Sequence, residues 1–120
     1  DPTYQPWMPR AICLRQAGAM IGHIGFHTQP GAAYLQDYAP QGVEFGYTIY
    51  GAYRQQGYAS EAAAALMQWA AQTHHVAQFV LSISPDNLPS QRIARHFDFQ
   101  KVGEQMDEED GLEEIFVRKV

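Results

Sequence analysis

The residues of this chain best suited to chemistry lie at positions 51–60, GAYRQQGYAS. Gly57 permits a tight turn with close approach of the backbone to a ligand, and Ala59 keeps the bulk low. Ahead of them, residues 43–50 (VEFGYTIY) are β-branched and aromatic and read as a strand. From Ala59 to about His74 the apolar residues follow helical spacing, with Ala62, Leu66, Trp69, Ala70 and Thr73 on one face. A strand therefore feeds a helix through Gly57. The first turn of such a helix exposes unpaired N–H groups at the positive end of the dipole, an arrangement that binds phosphate without side-chain cations. Each such contact is worth about 0.3–1 kcal/mol when exposed and up to roughly 2 when partly buried. Several N–H groups converging there could anchor the pyrophosphate of a nucleotide-like cofactor, and Arg54 could add a charge-assisted bond. Neither a G-x-x-x-x-G-K-[ST] nor a G-x-G-x-x-G run occurs, so P-loop and Rossmann binding are not supported.

Other reactive residue types form no comparable constellation. His23 and His27 can share one face of a strand but would stand about 13 Å apart, too far to ligate one metal. His74 and His75 end a helix, where cations suit the dipole. No zinc-type ligand spacing exists, and no metal site is expected. The single Cys13 reads as a buried small hydrophobe without an activating neighbour. Trp69 belongs to the apolar stripe and reads as core.

The elements that must position residues 51–60 are legible along the chain. Residues 11–16 read as a strand, Ala17 and Gly18 as a tight turn, and 19–27 as the returning strand. Residues 28–41, with Pro30, Gly31 and Pro40, read as a loop. After the helix, 78–84 form a short buried strand and 89–97 a second helix with Ile93, Ala94 and Phe97 inward. Residues 98–106 and 112–120 form a closing hairpin around the acidic turn Asp107–Gly111. Strands, helix, strand, helix, strands is the order of an α/β (α+β) domain with a mixed, mostly antiparallel sheet and helices packed on its faces. A length of 120 residues suits one domain over 1–120.

Composition removes several classes of function. With a net charge of −5 and no Lys/Arg stripe, nucleic acid is not an expected partner, whereas a cationic acceptor is permitted. No apolar run approaches the roughly 20 residues that cross a bilayer. Residues 1–9 (DPTYQPWMP) carry no secretory pattern, and one cysteine fits a reducing compartment, so a cytoplasmic location is expected.

Arg54-Gln55-Gln56-Gly57-Tyr58-Ala59 matches the R/Q-x-x-G-x-G/A signature of the GNAT acetyltransferase superfamily, and VEFGYTIYGAYRQQGYASEAAAAL resembles its RimJ/RimL-like branch. A second block agrees: Asn87-Leu88-Pro89-Ser90 opens a helix closed by Asp98-Phe99, similar to the N-x-x-S … G-F block. The resemblance covers roughly residues 12–120. It implies an N-acetyltransferase that moves an acetyl group from acetyl-coenzyme A directly to a primary amine, on a protein N-terminus or a small molecule. It further implies that Tyr47, Thr48 and Ile49 present backbone groups to the pantetheine arm, which requires the sheet to open beside their strand. Gln55, Gln56, Gly57, Tyr58, Ala59 and Ser60 would hold the pyrophosphate. Asn87 would bond the cofactor's amides, although an asparagine there is also an ordinary N-cap. Ser90 would lie near the sulfur.

Amine acetylation needs a neutral nucleophile, a stabilised oxyanion and a protonated thiolate. Glu44 is the candidate base, in a region where the family often carries an acidic residue, among apolar neighbours expected to raise its pKa. An ordered water can relay the proton. The chain also departs from the resemblance. A glutamate base frequent in the strand before the second block is replaced by Ser82, and a tyrosine acid in the second helix by Ala94. Asp98 replaces a glycine, tolerable if a positive φ is needed there. Residues 1–10 are too short and proline-rich to supply the family's opening strand and helices, so a domain truncated at its N-terminal end is expected. A homodimer could then complete the acceptor wall. The rival reading is a catalytically silent GNAT-fold module that binds acyl-coenzyme A. The acidic turn Asp107, Glu108, Glu109, Asp110 reads as a solvated tip that can also attract a cationic amine.

Overall fold

The computed structural model describes residues 7–15 and 18–120. Gln16, the end of the expected first strand, Ala17 of the expected turn, and positions 1–6 of the proline-rich front lie outside the described residues. The strands are β1 (Arg10–Cys13), β2 (Met20–Phe26), β3 (Val43–Ile49), β4 (Gln78–Ile83), β5 (Gln100–Asp107) and β6 (Gly111–Lys119). The helices are α1 (Tyr58–His74) and α2 (Leu88–His96). Short 3-10 turns at Ala33–Leu35 and Gly51–Tyr53 lie in the connections that flank β3.

The strands form one sheet in the order β1-β2-β3-β4-β6-β5. Every neighbouring pair is antiparallel except β3 and β4. That parallel pair is short: Val43 faces Phe79, Glu44 faces Val80, and pairing then stops. Beyond Glu44, β3 stays bonded to β2 through Ile49 and β4 to β6 through Ile83. The sheet therefore opens as a V between β3 and β4, with Glu44 at the apex. The opening required beside Tyr47–Ile49 is present.

Alternation along each strand divides the side chains between two faces. Phe26, Val43, Phe45, Phe79, Leu81 and Ile83 point to one face, where α1 adds Ala63, Leu66, Met67 and Ala70, and α2 adds Ala94. Phe45 is the hub, 1% exposed, with Phe26, Phe79 and Phe99 edge-on around it at 6.3–6.5 Å. Burying such a ring contributes about 1.5–3 kcal/mol. On the opposite face Leu35 and Ala39 of the 28–41 loop cover Val80, Ile115 and Val117. Among the described residues both helices thus share one face, and the expected cover on the second face is a loop rather than a helix.

Two expectations about single side chains change. The buried stripe of α1 is Ala63, Leu66, Met67 and Ala70, at i, i+3, i+4 and i+7, and Thr73 is exposed. Ala62 and Trp69 flank that stripe, and Trp69 packs on Trp7 with the Arg10 guanidinium 4.1 Å from its ring, a core role as expected. Cys13 is exposed, not buried. It ends the sheet's edge strand, whose side chains alternate in exposure, next to a break in the register at Ile12/Cys13.

Candidate active site

The 51–60 segment leaves β3 through its 3-10 turn and enters α1 with two left-handed residues, Gln55 (φ 62°) and Gly57 (φ 83°). Gly57 is the N-cap of α1, and among the described residues no side chain caps this start of the helix. A glycine suits this position because its missing side chain leaves φ > 0 unstrained. The first helical bond runs from the Glu61 amide to the Gly57 carbonyl. The amides of residues 55–60 meet no acceptor among the described residues. Six adjacent donors at the positive end of a 17-residue helix are left for a ligand.

These donors border a cleft of about 800 Å³ between the start of α1, the unpaired half of β3 and α2, a size ordinary for a cofactor site. Tyr47, Thr48, Ile49, Arg54, Gln55, Gly57, Tyr58, Ala59, Ser60, Asn87 and Ser90, all singled out in the sequence, line it. Gln56 does not, because its side-chain amide turns back onto the Ala52 carbonyl at 3.2 Å. Arg54 is partly committed: its Nε donates to the Ile49 carbonyl at 2.9 Å, tying the loop to the end of β3. Tyr53, Pro89, Arg92, Ile93 and His96 also line the cleft and were missed. The signal for the last four was available, since 89, 92, 93 and 96 repeat at i, i+3, i+4 and i+7 on α2. With Arg54 and Arg92 the cleft carries cationic side chains although the chain's net charge is −5.

Asn87 caps α2 in the ordinary way, its Oδ1 accepting from the Ser90 amide at 3.3 Å, which leaves its NH₂ group to the cleft. The Ser90 hydroxyl accepts from the Tyr47 hydroxyl at 2.9 Å. Tyr47 was singled out for its backbone alone. Its side chain supplies a hydroxyl beside Ser90 where the second helix offers only Ala94. Burial pushes the Tyr47 pKa up against the opposing effect of Ser90, so the phenol keeps its proton at neutral pH.

Glu44 stands on the other face of the sheet. It is 5% exposed, and its neighbours are not only apolar. Tyr34 donates to Oε1 at 2.9 Å, and His27 Nδ1 lies 3.4 Å from Oε2. The Ser82 hydroxyl is buried nearby without a hydrogen bond of good geometry. Burial pushes the Glu44 pKa up, but bonding and charge from His27, with Ser82 and Tyr34, outweigh it and hold the carboxyl below its ordinary value. The expected upward shift is therefore reversed. His27 shifts the opposite way: the Glu44 bond raises it, burial opposes, and the charges of Glu44 and Glu113 raise it further.

The coupling predicts a pH window. Glu44, with a depressed folded pKa, contributes stability present above 4.5 and lost as pH falls through its folded value. His27, with a raised folded pKa, contributes stability present below 6.5 and lost as pH rises through its folded value. The melting-temperature difference between wild type and Glu44→Gln should thus be greatest between pH 4.5 and 6.5 and shrink on both sides. Thermal unfolding across pH 3–9 checks this, and a difference independent of pH would contradict the pairing.

At the tip of the β5–β6 hairpin, Asp107 Oδ1 accepts from the Glu109 and Asp110 amides at 2.7 and 2.9 Å. The acidic turn is thus an ordered, exposed loop. Its charge reaches toward Glu44 through Glu113, whose pKa is raised by burial and by the charges of Asp107, Glu44 and Asp110. Among the described residues no group of His, Cys, Asp or Glu could hold a metal ion, and no helix is long and apolar enough to cross a membrane.

The sheet splits at one strand pair, and the start of α1 borders the cleft beside the split. Residues 2–100 match the acetyltransferase (GNAT) domain, and the chain belongs to that family, whose members use acetyl-coenzyme A. It is 27% identical over 92 residues to the uncharacterised N-acetyltransferase YnaD of Bacillus subtilis (strain 168), covering 77% of this chain and 49% of that protein. Among solved structures, a GNAT-family acetyltransferase from Bacillus anthracis superposes with a TM-score of 0.76 at 22% identity, over 92% of this chain and 65% of that one. The ribosomal-protein-S5-alanine acetyltransferase of Vibrio fischeri superposes at 0.79 with 12% identity, over 96% and 62%. The chain thus spans about half of the curated relative and under two thirds of these structures. The fold is that of the family, and ribosomal-protein acetyltransferases stand among its structural neighbours, in keeping with the RimJ/RimL-like resemblance.

Proposed function

We propose that this chain carries the acetyl-coenzyme A site and the transfer chemistry of an N-acetyltransferase acting on a primary amine, a protein N-terminus or a small amine. The observation that supports this most is the run of amides from Gln55 to Ser60, which meet no acceptor among the described residues, beside a cleft that Gln55 and residues 57–60 line and that opens along the unpaired half of β3. The amides and Arg54 would bind the diphosphate, the backbone of Tyr47–Ile49 would align the pantetheine arm, and Asn87 would bond it from α2. Bound there, acetyl-coenzyme A supplies an activated acyl group for direct transfer without a covalent enzyme intermediate. Ser90, oriented by Tyr47, is the hydroxyl in place to assist the departing thiol. Glu44, ionised at neutral pH at the apex of the V, marks the proton-accepting side. The negative face formed by Glu44, Glu113 and the 107–110 turn suits a cationic acceptor, arriving opposite the helices. The named neighbour that acetylates a ribosomal-protein alanine favours a protein N-terminus, and a cytoplasmic site of action goes with it.

The test is calorimetric titration with acetyl-coenzyme A followed by a screen of α-amines, polyamines and amino acids as acceptors. Binding with turnover supports the enzyme. Binding without turnover on any amine supports a silent acyl-coenzyme A module, the reading favoured by Ala94 in the second helix. No binding removes both.

A further inference from the structure

We propose that His27 is the catalytic base that takes the acceptor amine's proton, with Glu44 as its positioning residue behind it; this rests on the acetyltransferase reading above. His27 follows directly on β2 and is fixed to β3 twice. Its amide donates to the Glu44 carbonyl at 2.8 Å, and its Nδ1 lies 3.4 Å from Glu44 Oε2. The ring then lies along β3 over Gly46. A Cβ at position 46 would stand 2.9 Å from Nε2, so a glycine there is what leaves room for the imidazole. The pair therefore runs from the last residue of β3 that bonds β4 to the first stretch that does not. It carries the unoccupied nitrogen toward the opening of the V, whose far side is the cleft.

Exposure separates the roles. The Glu44 side chain is 7% exposed, and both oxygens are engaged, Oε1 by Tyr34 and Oε2 by His27. The His27 side chain is 51% exposed. An incoming amine meets the imidazole, and the carboxylate holds the tautomer with the proton on Nδ1, leaving Nε2 as the acceptor. The charged or titratable groups facing His27 are Glu44 from β3 and Glu113 from β6, with Tyr34 of the 33–35 turn bonded to Glu44. Both carboxylates favour the imidazolium and raise the base above its ordinary value.

The step balances. One N–H bond of the ammonium breaks and its proton joins Nε2. The electron pair left on nitrogen forms the C–N bond as the acetyl C–S bond breaks. The amine's second proton ends on sulfur, and the imidazolium, paired with Glu44, returns its proton to solvent. A protonated amine and acetyl-coenzyme A give an amide, the thiol and one proton.

The full chain is assayed as wild type, His27→Gln and Glu44→Gln for kcat/KM against pH, with the His27 imidazole followed by NMR titration and acetyl-coenzyme A affinity by calorimetry. In wild type kcat/KM should rise through a limb above pH 6.5. H27Q should lose that limb and about 10²–10⁴-fold in rate while binding acetyl-coenzyme A normally. E44Q should keep the limb displaced downward, and the NMR titration should move with it. Gly46→Ala, whose added methyl displaces the ring, should reproduce the loss of the limb if H27Q folds poorly. An H27Q enzyme with the wild-type limb and rate overturns the proposal. So does a His27 titration at or below 6.5 that ignores residue 44. A wild type that binds acetyl-coenzyme A but acetylates no amine sinks the acetyltransferase reading and the base role with it, whatever the NMR titration shows of the pair.

Discussion

Ser60→Glu should weaken acetyl-coenzyme A binding about 100-fold while leaving the fold as stable as before or slightly more so, a loss that corresponds to about 2.7 kcal/mol. Ser60 is the third residue of α1, lines the cleft, and its amide is one of the free donors. A carboxylate in a first helical turn is favoured by the dipole, by about 0.3–1 kcal/mol, and Glu61 already occupies this turn. The same charge opposes a diphosphate: two unit charges about 4 Å apart repel by about 4 kcal/mol at an effective dielectric near 20. Rotation of the glutamate into solvent reduces that figure, hence the lower expectation. Stability and affinity are therefore predicted to part company. Calorimetric titration and thermal unfolding of the variant read both. Unchanged affinity would mean that phosphate does not sit at this terminus.

Gly22→Ala should cost about 3 kcal/mol of stability, the upper end for an overpacked site, and weaken cofactor binding in the surviving protein. Gly22 lies on β2 opposite Ile49, inside the sheet. A Cβ there would fall within the Thr48 carbonyl oxygen and 3.1 Å from the Ile49 Cα. The obstruction is backbone, so no side chain can rotate away. The two residues it displaces are ones whose backbone should meet the pantetheine arm. A fall in melting temperature of roughly 10 °C is expected for a domain of this size, together with a weaker acetyl-coenzyme A titration. A variant that melts and binds like wild type would show that β3 need not stay where it is.

Much of this arrangement is legible in the residues because local physics decides it. The VEFGYTIY strand, the turn at Gly57 and the alanine-rich helix each follow from propensity and period, and their order makes the cleft. Asp98, which stands where the resemblance has a glycine, does adopt a positive φ of 59°, a conformation aspartate tolerates. What was not legible depends on which residues the sheet brings side by side. Glu44 reads as a carboxylate among apolar neighbours because Val43 and Phe45 flank it in sequence. Its actual partners, His27 and Tyr34, come from the other side of β3 through strand pairing and a loop. In the sequence His27 pairs by spacing only with His23, too far for a shared metal, and nothing local points to Glu44, 17 positions on. The Tyr47–Ser90 bond spans 43 positions and joins a strand to a helix, a contact no periodicity announces. Cys13 was misjudged because free cysteines are mostly buried, a tendency that a short edge strand does not obey.

The most direct test of the central claim is an amide ¹H–¹⁵N titration of the assigned protein with coenzyme A. The largest shifts should fall on the backbone N–H groups of residues 55–60, followed by those of Tyr47–Ile49, and the shifts at 55–60 should be absent when pantetheine, which lacks the diphosphate, is added. Coenzyme A that binds while these amides stay unmoved would contradict the account.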